Sequence, residues 1–201
     1  MYIRQAKEKD LPELIELINS HVLLPNRIND HSYISSLKQT GFLVGQVTLN
    51  ELLKDLHKVF LIVKEQRHII GYIRIDEEID GVFMDLDTKN LIEWVHKDFK
   101  KKYYFKNHFE VGGILVLTDY GRRNIGHDLL HKALVELKYK NLQAIFSFVP
   151  IHPVANEPSL KFHLKNGFKI IAKLKPVKLW GMDNYQSVLL MKELKDWKEI
   201  P

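Results

Sequence analysis

The chain has no cysteine among its 201 residues. That absence removes a disulfide scaffold, a thiolate zinc site and a cysteine nucleophile together. Long apolar runs are missing as well. Stretches such as ILVL at 114–117 fall far short of the ~18 apolar residues that span a bilayer. The amino-terminal stretch carries Arg4, Lys7, Glu8, Lys9, Asp10, Glu13 and Glu16, so it holds no apolar secretory region. A soluble, cytoplasmic protein with no membrane partner is expected. Ten glycines and seven prolines are scattered rather than gathered into a linker, and no internal repeat is present. With 45% apolar content the chain can bury one good core, so one domain over residues 1–201 is expected.

Charge is present but moderate. Thirty Lys and Arg against twenty-five Asp and Glu leave a net +5, a field that suits an anionic ligand. Nucleotide phosphates, nucleic acid and anionic surfaces all fit it, and ordinary soluble domains carry as much.

Periodicity supplies the outline. Tyr2–Gln5 reads as a short strand. Asp10 reads as a helix N-cap with Glu13 completing a capping box, followed by Leu11, Leu14, Ile15 and Ile18 at helical spacing to about Ser20. Residues 29–57 hold one or two helices, including 49–57. The β-branched runs 59–64 and 69–75, separated by Glu65-Gln66-Arg67-His68, form a hairpin pattern. A helix is expected over 87–102, with Leu91, Ile92, Val95 and Phe99 on one face. Then come a buried strand at 111–117, a helix at 124–139 and a buried strand at 142–149. A helix at 158–166 stopped by Gly167 as a left-handed cap follows, with final strands at 168–174 and 187–191. Helices interleaved with a mostly antiparallel set of strands give an α/β fold around a sheet.

Two segments carry more than periodicity. They are ILVLTDYGRRNIGHDLL at 114–130 and NEPSLKFHLKNGF at 156–168. In this order they resemble the two cofactor-proximal motifs of the GNAT superfamily of acyl-CoA-dependent N-acyltransferases. The resemblance implies an α/β (α+β) fold with a mixed, mostly antiparallel central sheet flanked by helices. It also implies acetyl-CoA as acyl-donor cosubstrate, a primary amine as acceptor, and no metal.

In the family's first motif, Q/R-x-x-G-x-G/A, loop amides and the following helix N-terminus hold the CoA pyrophosphate, as unpaired N–H groups and the helix dipole favour. The matching residues are Gly121, Arg122, Arg123, Asn124, Ile125 and Gly126. Gly126 keeps the last glycine. Asn124 replaces the middle one, and Asn enters left-handed backbone more readily than other non-glycine residues. Gly121 stands where the family has Gln or Arg, so Arg122 and Arg123 are the sources of charge. Leu129, Leu130, Ala133, Leu134 and Leu137 downstream are core.

The second motif, N-x-x-A/S-x-x-x-Y-x-x-x-G-F, is met by Asn156, Ser159, His163, Gly167 and Phe168, with histidine in place of tyrosine. Read without the family, it is a capped surface helix with a glycine stop. The likeness extends to IRQAKEKDLPELIEL, IIGYIRI and VLLMKEL, and it is weakest over 19–57 and 78–109. By resemblance the cofactor falls to Ile114, Leu115, Val116, Leu117, Arg122, Arg123, Asn124, Ile125, Gly126, His127, Asn156 and Ser159. Backbone N–H groups of 115–117 would polarise the thioester carbonyl, and Asn156 would contact the pantetheine arm or cap its helix.

Direct attack on the thioester needs a neutral amine, whereas a lysine-like amine has pKa ~10.4. Glu110 is the candidate base by its distance before the phosphate loop, with an exposed strand-end carboxylate as the plain alternative. Gly112 and Gly113 either leave room for substrate or mark a bulge. His163 stands where the family's tyrosine protonates the departing thiolate. An imidazole at pKa ~6.5 can donate to a thiol near ~8.5, and a satisfied structural histidine is the alternative.

Other constellations compete. His127 and His131 at i, i+4 are similar to a zinc helix, with Asp128 where the base would stand and no third ligand. The stretch 97–108 mixes basic and aromatic residues, as a nucleic-acid face would, and 76–87 is acidic enough to line the approach of an amine. Rival functions are a noncatalytic acyl-CoA-binding regulator and, behind it, a nucleic-acid-binding module. A homodimer is compatible with all of them. The acceptor stays open among small-molecule amines, antibiotics, peptide N-termini and protein lysines.

Overall fold

A computed structural model describes residues 1–77, 89–99, 109–120, 123–137 and 144–194. The chain divides into two compact units, the first being Met1–Val22, Phe42–Asp76 and Val111–Asn141, the second Leu23–Gly41, Glu77–Glu110 and Leu142–Pro201. Both are α/β. No helix among the described residues is long and apolar enough to cross a membrane.

In the first unit β1 (Tyr2–Gln5) pairs antiparallel with β2 (Phe60–Glu65), which turns back into β3 (His68–Glu77). The turn is the expected polar one, with Gln66 at φ 55. Next in strand order comes β5 (Phe109–Val116), whose residues from Val111 onward lie in this unit. Gly71 is required there, because a Cβ on it would stand 2.7 Å from the Leu115 carbonyl oxygen. The apolar stripe of α1 (Leu11–Asn19) buries Leu11, Leu14, Leu17 and Ile18 in one cluster with Leu52, Phe60, Ile62, Ile69, Tyr72 and Leu115. Each fully buried side chain of this size contributes roughly 1.5–3 kcal/mol. Leu52 comes from α3 (Leu49–Asp55), which opens on a Thr48/Glu51 capping box.

The cap expected on α1 is built otherwise. Asp10 makes no side-chain cap bond to that helix. Its carboxylate is gripped by Arg4 through two 2.7 Å hydrogen bonds and accepts the Lys7 N–H at 2.9 Å. Glu13 accepts the Ile69 N–H at 2.6 Å and an ion pair from Lys64 at 3.2 Å. Stronger partners outside the helix take both carboxylates, so the capping box does not form.

In the second unit Phe109 and Glu110, the first residues of β5, pair parallel with Ile145 and Phe146 of β6 (Ala144–His152). The order continues antiparallel through β9 (Met182–Glu193), β7 (Lys169–Leu174) and β4 (Ile92–Trp94), and β8 (Val177–Leu179) forms a hairpin with β9. Helix α2 (His31–Thr40), N-capped by Asp30, also belongs here. The strand β4 corrects the helix expected over 87–102. Described residues 89–99 contain this strand and only a helical turn at 97–99. Ile92 packs among Phe146, Ile171, Ala172 and Leu189, and Trp94 against the same cluster. The alternation Ile-Glu-Trp across β4 therefore prevails over the weaker helical spacing of Leu91, Val95 and Phe99.

Candidate functional site

In the first unit β5 runs through the short helical turn Thr118–Tyr120 into α4 (Ile125–Leu137). Gly121 and Arg122 lie outside the described residues. Asn124 adopts φ 56, the left-handed conformation expected of it. Its carbonyl accepts the Asp128 N–H at 3.1 Å, closing the first turn. The N–H groups of Ile125 and Gly126 precede that bond and have no acceptor within the helix, which gives α4 an anion-favouring end. The rest of α4 is core as expected, with Ile125, Leu129, Leu130, Ala133, Leu134 and Leu137 buried.

Arg123 is already engaged. Its Nη1 donates to Glu65 Oε1 at 2.9 Å, and its guanidinium lies 5.0 Å from the centre of the Tyr120 ring. Glu65 reaches the Tyr120 hydroxyl too, and that hydrogen bond raises the phenol above its ordinary value. Part of the charge expected for a phosphate is thus balanced within the protein.

The β5 amides divide by strand alternation. Leu117 N–H donates to the Ile70 carbonyl at 2.9 Å. Successive residues of a strand direct their N–H groups to opposite edges, so Leu115 shares that direction while Ile114 and Val116 face the other edge. Of the expected thioester donors 115–117, Leu117 is committed to β3, and Val116 has the open orientation. The room above the paired glycines is also taken. A Cβ on Gly112 would overlap the Asp76 carboxylate, and one on Gly113 would stand 2.8 Å from the Tyr72 hydroxyl. Asp76 is the part of the acidic stretch 76–87 whose side chain is described, and it is bound to Arg74 at 3.2 Å and Lys58 at 3.3 Å. Most of the basic-aromatic stretch 97–108 lies outside the described residues.

His127 and His131 sit on α4 with ring centres 6.3 Å apart. Among the described residues no three His, Asp or Glu side chains gather as a metal-ligand set.

In the second unit the second motif forms α5 (Glu157–Lys165). Asn156 caps it, its Oδ1 accepting the Ser159 N–H at 3.3 Å, while its own N–H donates to the Pro150 carbonyl at 3.0 Å. Gly167 at φ 83 ends the helix as expected. His163 is 2% exposed, its ring edge-on to Phe162 and Phe168 with centres 5.3 and 4.9 Å away. Nδ1 lies 2.8 Å from the Ser159 carbonyl oxygen. A carbonyl only accepts, so Nδ1 carries the proton. Nε2 is buried and has no hydrogen-bond partner among the described residues. Burial holds the imidazole below its ordinary pKa, against the opposing Ser159 hydrogen bond, so the resting ring is neutral with its lone pair on Nε2.

Glu110 is half-buried at the start of β5. Its charge reaches a residue the sequence reading passed over. Tyr185 of β9 is 2% exposed, and burial above all pushes its hydroxyl up. The neighbouring Ser187 side chain draws it back, and the Glu110 carboxylate adds to the rise. Ser187 Oγ adjoins that hydroxyl, buried itself, without a hydrogen bond of good geometry. The short apolar run around Val177 and Leu179 followed by the Trp180-Gly181 turn was the signal that could have brought this hairpin forward.

A model of the acetyltransferase (GNAT) family matches residues 26–168. Among solved structures the chain is similar to the ribosomal-protein-alanine N-acetyltransferase of Brucella melitensis, at 16% identity and TM-score 0.60, covering 96% of this chain and 100% of that one. It is similar to yncA of Salmonella typhimurium with its cofactor acetyl-CoA, at 15% identity and TM-score 0.62, covering 98% and 95%. It is also similar to Arabidopsis thaliana Naa50 in complex with the bisubstrate analogue CoA-Ac-MVNAL, at 16% identity and TM-score 0.60, covering 95% and 97%. At such identities these likenesses speak to the fold. No curated protein matches the chain.

Proposed function

Because the chain belongs to the acetyltransferase (GNAT) family, we propose that it is an acetyl-CoA-dependent N-acetyltransferase acting on a primary amine, as a single cytoplasmic domain. The observation that carries the cofactor assignment is the left-handed Asn124 delivering β5 into the first turn of α4, whose leading N–H groups have no acceptor within the helix. A diphosphate fits that end by charge and by donor supply. Bound there, acetyl-CoA supplies an activated acyl group on a thiol leaving group.

The roles of the protein's own groups follow. Ile125 and Gly126 N–H hold phosphate oxygens. Val116 N–H faces the thioester carbonyl and stabilises the charge that develops on its oxygen. Glu110 takes the first proton from the acceptor ammonium. Nε2 of His163, unprotonated at rest, takes the second proton as the N–C bond forms and passes it to sulfur as the C–S bond breaks. Amide, free thiol and one proton to solvent balance the reaction. Neutral His163 is suited to this relay and not to donating at the outset, which reverses the order of proton transfer expected from the family's tyrosine.

The enclosure of Nε2 favours a second reading, in which His163 only packs α5 against Phe168. Thiol release from acetyl-CoA, measured over a panel of amines, tests the function. CoA binding with no thiol release from any amine would leave a noncatalytic acyl-CoA-binding regulator.

A further inference from the structure

Tyr120 stands at the entrance of the loop that leads into α4, and its position is fixed through its backbone, its tip and one ring face. Its N–H donates to the Leu117 carbonyl at 2.9 Å, and its own carbonyl accepts the Arg123 N–H at 3.1 Å. The second of these bonds closes a turn whose ends lie within roughly 7 Å of each other. At the tip, the hydroxyl is hydrogen-bonded to the Glu65 carboxylate at the end of β2. One ring face carries the Arg123 guanidinium, 5.0 Å from the ring centre, and Glu65 holds that guanidinium in turn at 2.9 Å. No second ring or cation meets Tyr120 among the described residues, and the residue is half-buried. A rigid aromatic face of this kind orders little further when a flat ligand lands on it. Its neighbour along the chain is the anion-favouring end of α4. Asn124 follows Arg123 directly, and the leading N–H groups of Ile125 and Gly126 come next. A diphosphate suits those groups, and in CoA the diphosphate continues through one ribose into a flat purine.

We propose that Tyr120 is the platform on which the adenine of CoA stacks, with Arg123 on the opposite face of the ring. The inference rests on CoA as the cofactor and names the group that holds its nucleotide end. Every base presents a π-face, so such a platform adds affinity without reading the base edge. The guanidinium beneath the ring adds a cation–π layer to the stack. Pantetheine and the acyl group take no part in it.

The test measures calorimetric Kd for CoA, dephospho-CoA and 4′-phosphopantetheine on the full chain. Tyr120→Leu removes the aromatic face and keeps an apolar side chain. It should weaken CoA and dephospho-CoA alike, by about 5–100-fold, the scale of one stacked base. Binding of 4′-phosphopantetheine, which lacks the adenosine, should be unchanged, and that constancy also reports an intact loop. Tyr120→Phe loses the hydroxyl bond to Glu65 but keeps the face, and should restore most of the loss. An equal loss for all three ligands would mean that the ring only shapes the loop, and overturns the platform. A loss confined to CoA would assign the effect to the 3′-phosphate and overturns it too, as does parental affinity in the Leu variant. A parent chain that binds none of the three refutes the cofactor assignment, and the platform with it. A parent that binds CoA while the Leu variant binds it equally well refutes the platform alone.

Discussion

Replacing His163 by Phe separates the two readings of that residue, because they predict similar stability and very different rates. The variant loses the Nδ1–H bond to Ser159, worth about 0.5–1.5 kcal/mol net. It also removes the buried, unpartnered Nε2, whose desolvation costs about 1–3 kcal/mol in the parent. A larger ring wedged between Phe162 and Phe168 gives back about 1–3 kcal/mol through overpacking. These changes offset one another to within about 2 kcal/mol, or a few degrees in Tm for a chain of this length. If Nε2 relays a proton, kcat should fall roughly 10²–10⁴-fold, while acetyl-CoA binding, read as a thermal shift, stays near that of the parent. A pH arm checks the protonation state. Burial lowers the folded pKa of His163, so in the parent the unfolded chain takes up this proton first as pH falls. Stability is therefore lost as pH drops through the ordinary imidazole value toward the depressed one. The Phe variant lacks that loss, so its Tm should fall less between neutral and mildly acidic pH. Parental kcat in a folded, acetyl-CoA-binding variant would refute the relay and leave the packing role. An unchanged acid slope in Tm would refute the assigned neutral ring.

Three further outcomes follow from the same geometry. Glu65→Gln frees Arg123 from its ion pair and should tighten CoA about 2–5-fold, the upper range for an exposed pair, with pantetheine unaffected; equal changes in calorimetric Kd for both ligands would place Arg123 away from the phosphates. Asn124→Val puts a β-branched residue at φ 56 and should cost about 1–2 kcal/mol in denaturant unfolding while weakening CoA, whereas Asn124→Gly should be nearly neutral. Asp10→Asn breaks the doubly hydrogen-bonded Arg4 pair and should cost about 1–3 kcal/mol at neutral pH. Arg4 lowers the folded pKa of Asp10, so that stabilisation is present above the ordinary carboxylate value and is lost as pH falls through the folded one; the Tm gap between parent and variant should close in acid.

The local signals that survived folding are those decided within a few residues. Asn124 and Gly167 reach left-handed backbone because their side chains permit it. Asn156 caps α5 because its acceptor is one turn from the Ser159 N–H. The α4 stripe is buried because its spacing leaves one apolar face. These features and the family motifs were legible in the amino-acid order alone. Others depended on partners distant in sequence. Asp10 and Glu13 left the expected capping box for Arg4 and the Ile69 N–H, since charge-assisted bonds outweigh a local cap. Residues 92–94 became a strand because β7 offered them a ladder. The proton position on His163, the engagement of Arg123 by Glu65 and the contact of Trp180 with Tyr185 likewise follow from packing. Residue order sets propensities over one turn or one pleat, but pairing energies and burial exist only once distant segments share a surface, so the His163 tautomer and the engagement of Arg123 were decided by the tertiary structure.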